Sequence, residues 1–419
     1  MELSPPRGTA DLFPPRSEQM LALERSAHEL ARVHGYRYVQ TPAFEHTELF
    51  ARTSGESSDI VTKEMYTFED KGGRSLTLRP EGTAPVMRAY LEHQQDLPLP
   101  FKAYYVGSFW RHGRPQAGRL REFRQLGIEV IGTDAPGADV ETILVADRFL
   151  RGHGLATTTL KVNSIGDPSC RSAYRDVLVA YLRDHEDALC KDCRARIDTN
   201  PLRTFDCKEE GCRSVMADAP VIADHLCDAC AEHFTAVQEG LAIEEVPFEI
   251  DRRLVRGLDY YTRTAFEFVS EALPAAQATL CGGGRYDGLA EELGGRPTPG
   301  IGFGLGLERV LLALENEQLG IATTGSPACF VVGIGDEAPV LVRNLVRTLR
   351  RMGVASEAAF EERPLKAQLK MADRAGARFA AIIGDREAEE RVVTIKDLRD
   401  GSQSEVPLGE VGPWISSRA

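Results

Sequence analysis

Glycine recurs at every second position through Gly300, Gly302, Gly304 and Gly306 (GIGFGLG), and a helix-like run, LERVLLAL, follows at 307–314. In a strand, side chains alternate between faces, so this segment would show bare backbone on one face and Ile301, Phe303 and Leu305 on the other. The spacing is G-x-G-x-G-x-G and not G-x-G-x-x-G, and the chain has no G-x-x-x-x-G-K-[ST] run, so neither the Rossmann nor the P-loop nucleotide site is supported. A bare strand face could receive a flat ring, with Arg309 in the first helical turn reaching a phosphate. The packing alternative is that the glycines admit a close helix and Arg309 is a helix-start charge.

Three other segments share this mix of polar chemistry and strand patterning. Leu254–Phe268, LVRGLDYYTRTAFEF, sets Arg256, Asp259, Tyr260 and Tyr261 just before an alternating strand pattern. Buried polar groups need partners, so the cluster is expected in a saturated network or against a polar ligand. Phe109–Gly132 reads as two antiparallel strands around a loop with turn residues Gly113, Pro115 and Gly118. From Arg111 to Arg124 it carries five arginines against one acid, Glu122, and guanidinium forks suit phosphate oxygens; a solvated charge run is the alternative. Gln125 and Glu129, four apart, share a strand face and suit a small cationic or N–H-rich ligand. Finally, LTLRPEGTAPVMR (76–88) closes a hairpin turning at Lys71–Arg74, then enters a helix running to about His93. Glu81 and Thr83 at that junction could bind an amino group, or Thr83 could simply cap the helix.

Taken together, these segments resemble the class II aminoacyl-tRNA synthetases, within them the histidyl-tRNA synthetase family of bacterial type. RGLDYYT (256–262) and GGGRYDGL (282–289) look like that family's two signatures, Arg111 and Arg309 like the arginines of class motifs two and three, and YRYVQTPAF (36–44) like motif one, the family's dimer interface. The resemblance covers essentially the whole chain. It implies a histidine–tRNA ligase that joins histidine to ATP as histidyl-adenylate, releases pyrophosphate, and transfers histidine to the 3′ end of tRNA(His). Histidine would be held by Glu81, Thr83 and Gln125 at its amino group, with Gly82 also in the histidine site, and by Glu129 and a tyrosine of the Tyr260–Tyr261 pair at its imidazole. Arg111, Arg256 and Arg309 would bind ATP, with Arg256 and Arg111 as catalytic cations. Arg114, Gln116 and Arg119 would meet the tRNA acceptor end. The implied metal is Mg²⁺ carried by ATP phosphates, and the implied assembly a cytoplasmic homodimer. A non-catalytic relative, the regulatory subunit of ATP phosphoribosyltransferase, typically lacks RGLDYYT and the carboxyl-terminal domain, both present here.

One position departs from the motif. Motif two usually reads Phe-Arg-x-Glu, and this chain has Trp110-Arg111-His112-Gly113, so another group must replace the contact from that acid to adenine.

The expected fold is α+β: an antiparallel class II sheet of six or seven strands flanked by helices (1–325), interrupted by a helical insertion (168–247), then an α/β anticodon-binding-like domain (326–419). Strand–helix alternation in the last part predicts a largely parallel sheet. Six of the nine cysteines form three close pairs within the insertion, Cys190-x2-Cys193, Cys207-x4-Cys212 and Cys227-x2-Cys230. Paired C-x-x-C spacing is a zinc signal, against buried reduced thiols as the alternative; the resemblance calls for no zinc, and no metal ligand is assigned. Absence of an 18-residue apolar run excludes a helical membrane span. The net charge of −13 looks wrong for an RNA binder, but residues 326–419 hold 14 basic and 14 acidic side chains and so balance to zero. RNA contacts would then rest on local patches such as the arginine loop.

Overall fold

The computed structural model describes the chain except residues 1–2, 55–59, 257–259, 276, 324 and 419, and the side chains at 54, 60, 62 and 206. Gly257 and Asp259 of the RGLDYYT run therefore lie outside the described residues. The chain forms two compact units, Met1–Ile321 and Ala322–Ala419.

In the first unit the strands are β1 (Arg37–Tyr38), β2 (Phe44–His46), β3 (Tyr66–Glu69), β4 (Ser75–Leu78), β5 (Phe101–Trp110), β6 (Glu122–Ile131), β7 (Thr158–Ser164), β8 (Phe248–Ile250), β9 (Thr262–Ser270), β10 (Thr279–Arg285) and β11 (Gly300–Gly306). Eight build one sheet in the order β1-β5-β6-β11-β10-β9-β7-β8, and β2-β4-β3 form a small second sheet. The expected hairpins are present: β5 pairs antiparallel with β6 around the arginine loop, and β3 with β4 around 70–74. The sheet has eight strands where six or seven were expected. The extra members are short edges that pair in parallel, β1 on β5 and β8 on β7. Strands of two and three residues, exposed but for the half-buried Phe248, are too short to carry an alternation.

Alternation along the central strands divides two layers. Leu126, Ile128, Val130, Ile301, Phe303 and Leu305 point to a large core shared with the helices Arg16–Val33, Pro136–Gly152 and Leu307–Asn316. The opposite face carries Tyr105, Tyr260, Tyr261, Ala265 and Tyr286 under the helix Thr83–His93. Polar groups expected at a site lie on this second, aromatic face.

The arginine of GGGRYDGL has a structural role. Arg285 and Asp139 are both fully buried, with Nη2 2.5 Å from Oδ2. Arg285 also donates to Asp287 and to the Thr133 carbonyl, both at 3.0 Å, while His233 Nε2 lies 3.1 Å from Asp139 Oδ1. The network ties β10, the helix Pro136–Gly152 and the helix Asp228–Ile243 of the insertion. Between Asp167 and Val246 the chain is helical, with its own small core around Tyr174, Leu178, Leu189 and Met216.

The second unit has β12 (Cys329–Gly333), β13 (Ser356–Ala358), β14 (Phe379–Ile383), β15 (Val392–Asp397) and β16 (Gln403–Pro407) in the order β13-β12-β14-β15-β16. The expected largely parallel sheet is corrected to a mixed one. β12 pairs in parallel with β13 and β14, but β14-β15-β16 are antiparallel. Helices occupy the first two crossovers, whereas the short 398–402 turn between β15 and β16 permits only a hairpin.

Candidate functional site

The aromatic face of the large sheet opens into a cleft of about 990 Å³ of atom-free space, the open solvent at its mouth included. Of the expected residues, Glu81, Gly82, Thr83, Arg111, Arg119, Gln125, Arg256, Tyr260, Tyr261 and Arg309 line it, together with Gly304, Gly306 and Glu308. Glu129, Arg114 and Gln116 do not appear on its wall.

Three arginines crowd together on the cleft wall. Arg111 is anchored by Nε to the Pro80 carbonyl (2.8 Å), and its guanidinium stacks 5.4 Å from the Phe123 ring centre. Arg309 donates to the Thr279 and Gly118 carbonyls at 2.6 and 3.1 Å. Arg119 bonds the Glu64 carboxylate at 2.5 Å. Burial lowers the pKa of Arg111 and Arg309, and mutual repulsion among the three adds to it. Guanidinium stays charged regardless, so the cleft holds fixed positive charge. Arg256 pairs with Glu267, which also accepts from Thr279 Oγ1 at 3.1 Å. Arg114 and Gln116 are exposed on the loop tip, while Arg119, expected beside them, turns inward.

Glu81, which follows the Pro80 that anchors Arg111, is 5% exposed. Its carboxylate accepts the N–H groups of Thr83 (2.6 Å) and Ala84 (3.0 Å) and caps the helix Thr83–His93, so the cap is Glu81 and not Thr83. Burial raises the Glu81 pKa, opposed by those two N–H groups. The Tyr260 hydroxyl is buried with no hydrogen-bond partner among the described residues, although its ring lines the cleft. An unpartnered buried hydroxyl costs stability unless a ligand satisfies it.

Glu129 is fully enclosed behind that wall. Thr83 Oγ1 (2.9 Å) and the Tyr105 hydroxyl (3.2 Å) donate to one carboxyl oxygen, and the Tyr286 hydroxyl donates to the other. The shared face with Gln125 is as expected, but Gln125 reaches the cleft and Glu129 does not. The reason is depth: Glu129 pairs with Gly302 on β11, whose missing side chain leaves the carboxyl room to tuck beneath Tyr105. Burial pushes its pKa up to about 8, with the three hydroxyls opposing that rise. Nothing in the sequence marked Tyr105 or Tyr286 for this role; the tyrosine of GGGRYDGL was the available signal for the second.

The two explanations of the glycine strand both hold, at different residues. A Cβ on Gly302 would sit 1.9 Å from Glu129 Oε2 and 2.3 Å from the Ile128 carbonyl, so this glycine serves packing. At Gly304 the nearest group to a Cβ would be the Gln125 amide, at 3.2 Å, and the bare backbone faces the cleft. Gly302→Ala should therefore cost about 1–3 kcal/mol in urea unfolding and Gly304→Ala well under half of that. Equal losses at the two positions would contradict this division.

A family model described as histidyl-tRNA synthetase matches residues 8–310, and one described as anticodon binding domain matches residues 328–418. The chain is 49% identical to a histidine–tRNA ligase of Geobacillus thermodenitrificans over 416 residues, 99% of this chain and 98% of the relative. The apo histidyl-tRNA synthetase of Staphylococcus aureus is 37% identical with a TM-score of 0.83, covering 99% of this chain and 100% of that one. A Bacillus halodurans chain described as an ATP phosphoribosyltransferase regulatory subunit/histidyl-tRNA synthetase shares the fold, with a TM-score of 0.65 at 22% identity over 92% of this chain and 98% of that one.

Proposed function

The chain belongs to the histidyl-tRNA synthetase family, and from that premise we propose that its cleft adenylates histidine with ATP and passes it to the 3′ end of tRNA(His). The observation that carries this reading is one cleft lined both by fixed guanidinium groups and by a tyrosine whose buried hydroxyl has no partner among the described residues. Attack of a carboxylate on the α-phosphorus brings anions together, so prepositioned cations aimed at the developing charge supply the main rate enhancement. Holding both substrates in one cleft supplies orientation.

In this reading Arg111 and Arg309 grip ATP phosphates, and Arg256 sits between the histidine carboxylate and the α-phosphate as the catalytic cation. Glu81, Gly82, Thr83 and Gln125 hold the amino group, and Tyr260 and Tyr261 meet the imidazole. Glu129 acts from behind the wall by fixing Thr83 and Tyr105, both of which line the cleft. Mg²⁺ would arrive on ATP. Among the cleft carboxylates Glu308 accepts the Arg124 N–H at 2.9 Å and Glu81 caps a helix, a donor set that fits a cation coordinated chiefly by phosphate oxygens. Bound so, the ion would neutralise phosphate charge.

The missing motif-two acid has a candidate substitute. A side chain built on Gly113 would start 3.3 Å from Glu64 Oε1, so Glu64 offers a carboxylate where that position would project. We assign the adenine contact to Glu64, held by Arg119. Arg114 and Gln116, on the exposed tip, are left for the tRNA acceptor end, and the unit at 322–419 for the anticodon. The exposed aromatics Tyr38 and Phe44, in the motif-one segment, and Phe68, which packs on Phe44, suit a homodimer interface. No described helix is long and apolar enough to cross a membrane; cytoplasmic placement follows from the proposed role.

The test is ATP–pyrophosphate exchange with each amino acid added singly. Exchange with histidine alone is expected; no exchange with any amino acid, from a folded protein that binds histidine, refutes the proposal.

Glu129→Gln separates two roles of that carboxyl. The Michaelis constant for histidine should rise about tenfold, the ~1.4 kcal/mol of one hydrogen bond, with that for ATP little changed. Equal effects on both substrates would refute the histidine-side role. The folded pKa of about 8 lies above the ordinary value of 4.5, so between those values the folded chain holds a proton that the unfolded chain has released. Stability from this group is thus full at low pH and lost as pH rises toward 8. The glutamine variant lacks that titration, so its stability relative to wild type should climb from about pH 5 to about pH 8.5. The climb should total a few kcal/mol, since each tenfold change in proton concentration across that window is worth about 1.4 kcal/mol. A pH-independent difference would exclude the raised pKa.

A further inference from the structure

The insertion carries two clusters of metal-ligand side chains that the adenylation site does not use. Cys190, Cys193, Cys207 and Cys212 converge so that all four Sγ atoms lie within 4.8 Å of one another, and so do the ligand atoms of Asp167, Cys170, Cys227 and Cys230. We propose that each cluster is a structural zinc site, one with four thiolates and one with three thiolates and the Asp167 carboxylate.

The geometry is that of ligands round one ion. Zn–S bonds of about 2.3 Å in a tetrahedron put neighbouring sulfurs about 3.8 Å apart. Cys190 and Cys207 are 3.8 Å apart, and Cys170 and Cys230 3.7 Å. Those distances are far beyond a disulfide bond of about 2.05 Å, and all these cysteines are free. The backbone supports the sulfurs as acceptors. Cys193 N–H points to Cys190 Sγ at 3.4 Å, and Cys190 N–H to Cys212 Sγ at 3.1 Å. Backbone donors of this kind orient and stabilise metal thiolates. Both clusters pair inner sulfurs of 0–5% exposure (Cys193, Cys212; Cys170, Cys230) with half-buried members, so each ion would be closed from solvent yet reachable during folding. A structural site closes its coordination with protein ligands alone, as both of these do.

Their placement explains what the ions would hold. Asp167 and Cys170 open the helix Pro168–Asp184, while Cys227 and Cys230 open the helix Asp228–Ile243, so this cluster pins the insertion where it leaves and where it returns. The four-cysteine cluster gathers the short helix Lys191–Arg196, the turn Pro201–Asp206 and the helix Glu210–Ala217, pieces too short to be stable alone. Arg203 in that turn donates to the Arg256 carbonyl at 3.4 Å, which links the metal-held segment to the adenylation cleft. Asp167 and Cys170 escape sequence reading because neither belongs to a C-x-x-C pair.

The test uses the full chain without an affinity tag, purified in reductant with no added metal and passed over a chelating resin. Elemental analysis should find two zinc ions per chain, and X-ray absorption should find Zn–S distances of about 2.3 Å. Exchange into Co²⁺ should produce thiolate-to-metal charge transfer and tetrahedral d–d bands. Cys193→Ser/Cys212→Ser should hold one zinc, and so should Cys227→Ser/Cys230→Ser. A single zinc in the wild type, lost with the first pair, would keep the four-cysteine site and overturn the other. Should the variants fail to fold, the wild-type protein decides: a folded, fully reduced chain that carries no zinc and develops no cobalt–thiolate band overturns the proposal.

Discussion

Arg256→Ala is expected to lower histidine-dependent ATP–pyrophosphate exchange by about 10²–10³-fold, the usual cost of removing one group that stabilises transition-state charge. Arg256 lines the cleft with its guanidinium against Gly282 and Tyr261, and it is paired with Glu267. The loss should fall mainly on the maximal rate, since Arg111 and Arg309 remain to bind ATP. Removing Arg256 also leaves the Glu267 carboxylate facing an anionic substrate, and repulsion from it could mimic a missing cation. Arg256→Ala/Glu267→Gln distinguishes the two. Without the stray carboxylate the double variant should stay as slow as the single one. Recovery of most of the rate in the double variant would mean that Arg256 serves to neutralise Glu267 and is no catalytic cation.

Arg285→Ala should destabilise the first unit by about 3–5 kcal/mol in urea unfolding, because it strands a buried carboxylate. Among the described side chains Asp139 would keep only the His233 ring nitrogen at 3.1 Å, and of the contacts that oppose its burial the attraction and hydrogen bonds of Arg285 would be lost. The carbonyls of Thr133 and Ala135 would also lose their donor. Activity per folded molecule should be largely kept, since Arg285 lies outside the cleft wall. Arg285→Met/Asp139→Leu should recover much of the loss, because replacing a buried ion pair by apolar groups is often neutral or stabilising. If Arg285→Ala unfolds at the wild-type urea concentration, the pair contributes nothing to stability.

The two arginines show how differently sequence motifs can be spent. Both stand in runs that mark the family, RGLDYYT and GGGRYDGL. One faces an open cleft and the other is locked in the fold, and no property of the residue type separates them.

The sequence by itself determined the elements with strong local signals: the hairpins around 70–74 and the arginine loop, the helix after Glu81, the glycine strand with its helix, and the helical insertion. Alternation, turn residues and helix periodicity act over a few residues, so a linear reading captures them. It also determined the residue types of the site, because cations for phosphates and amides or carboxylates for an amine are demands of the chemistry. Tertiary structure alone decided depth and partnership. Glu129 and Gln125 share a face, yet only the vacancy above Gly302 lets Glu129 sink behind Tyr105. Arg119 left Arg114 and Gln116 for the cleft because Glu64, far away in sequence, holds it there. Asp167 and Cys170 joined Cys227 and Cys230 because two helices start side by side. Such contacts between residues distant in the chain are set by packing, and packing is a property of the whole folded unit.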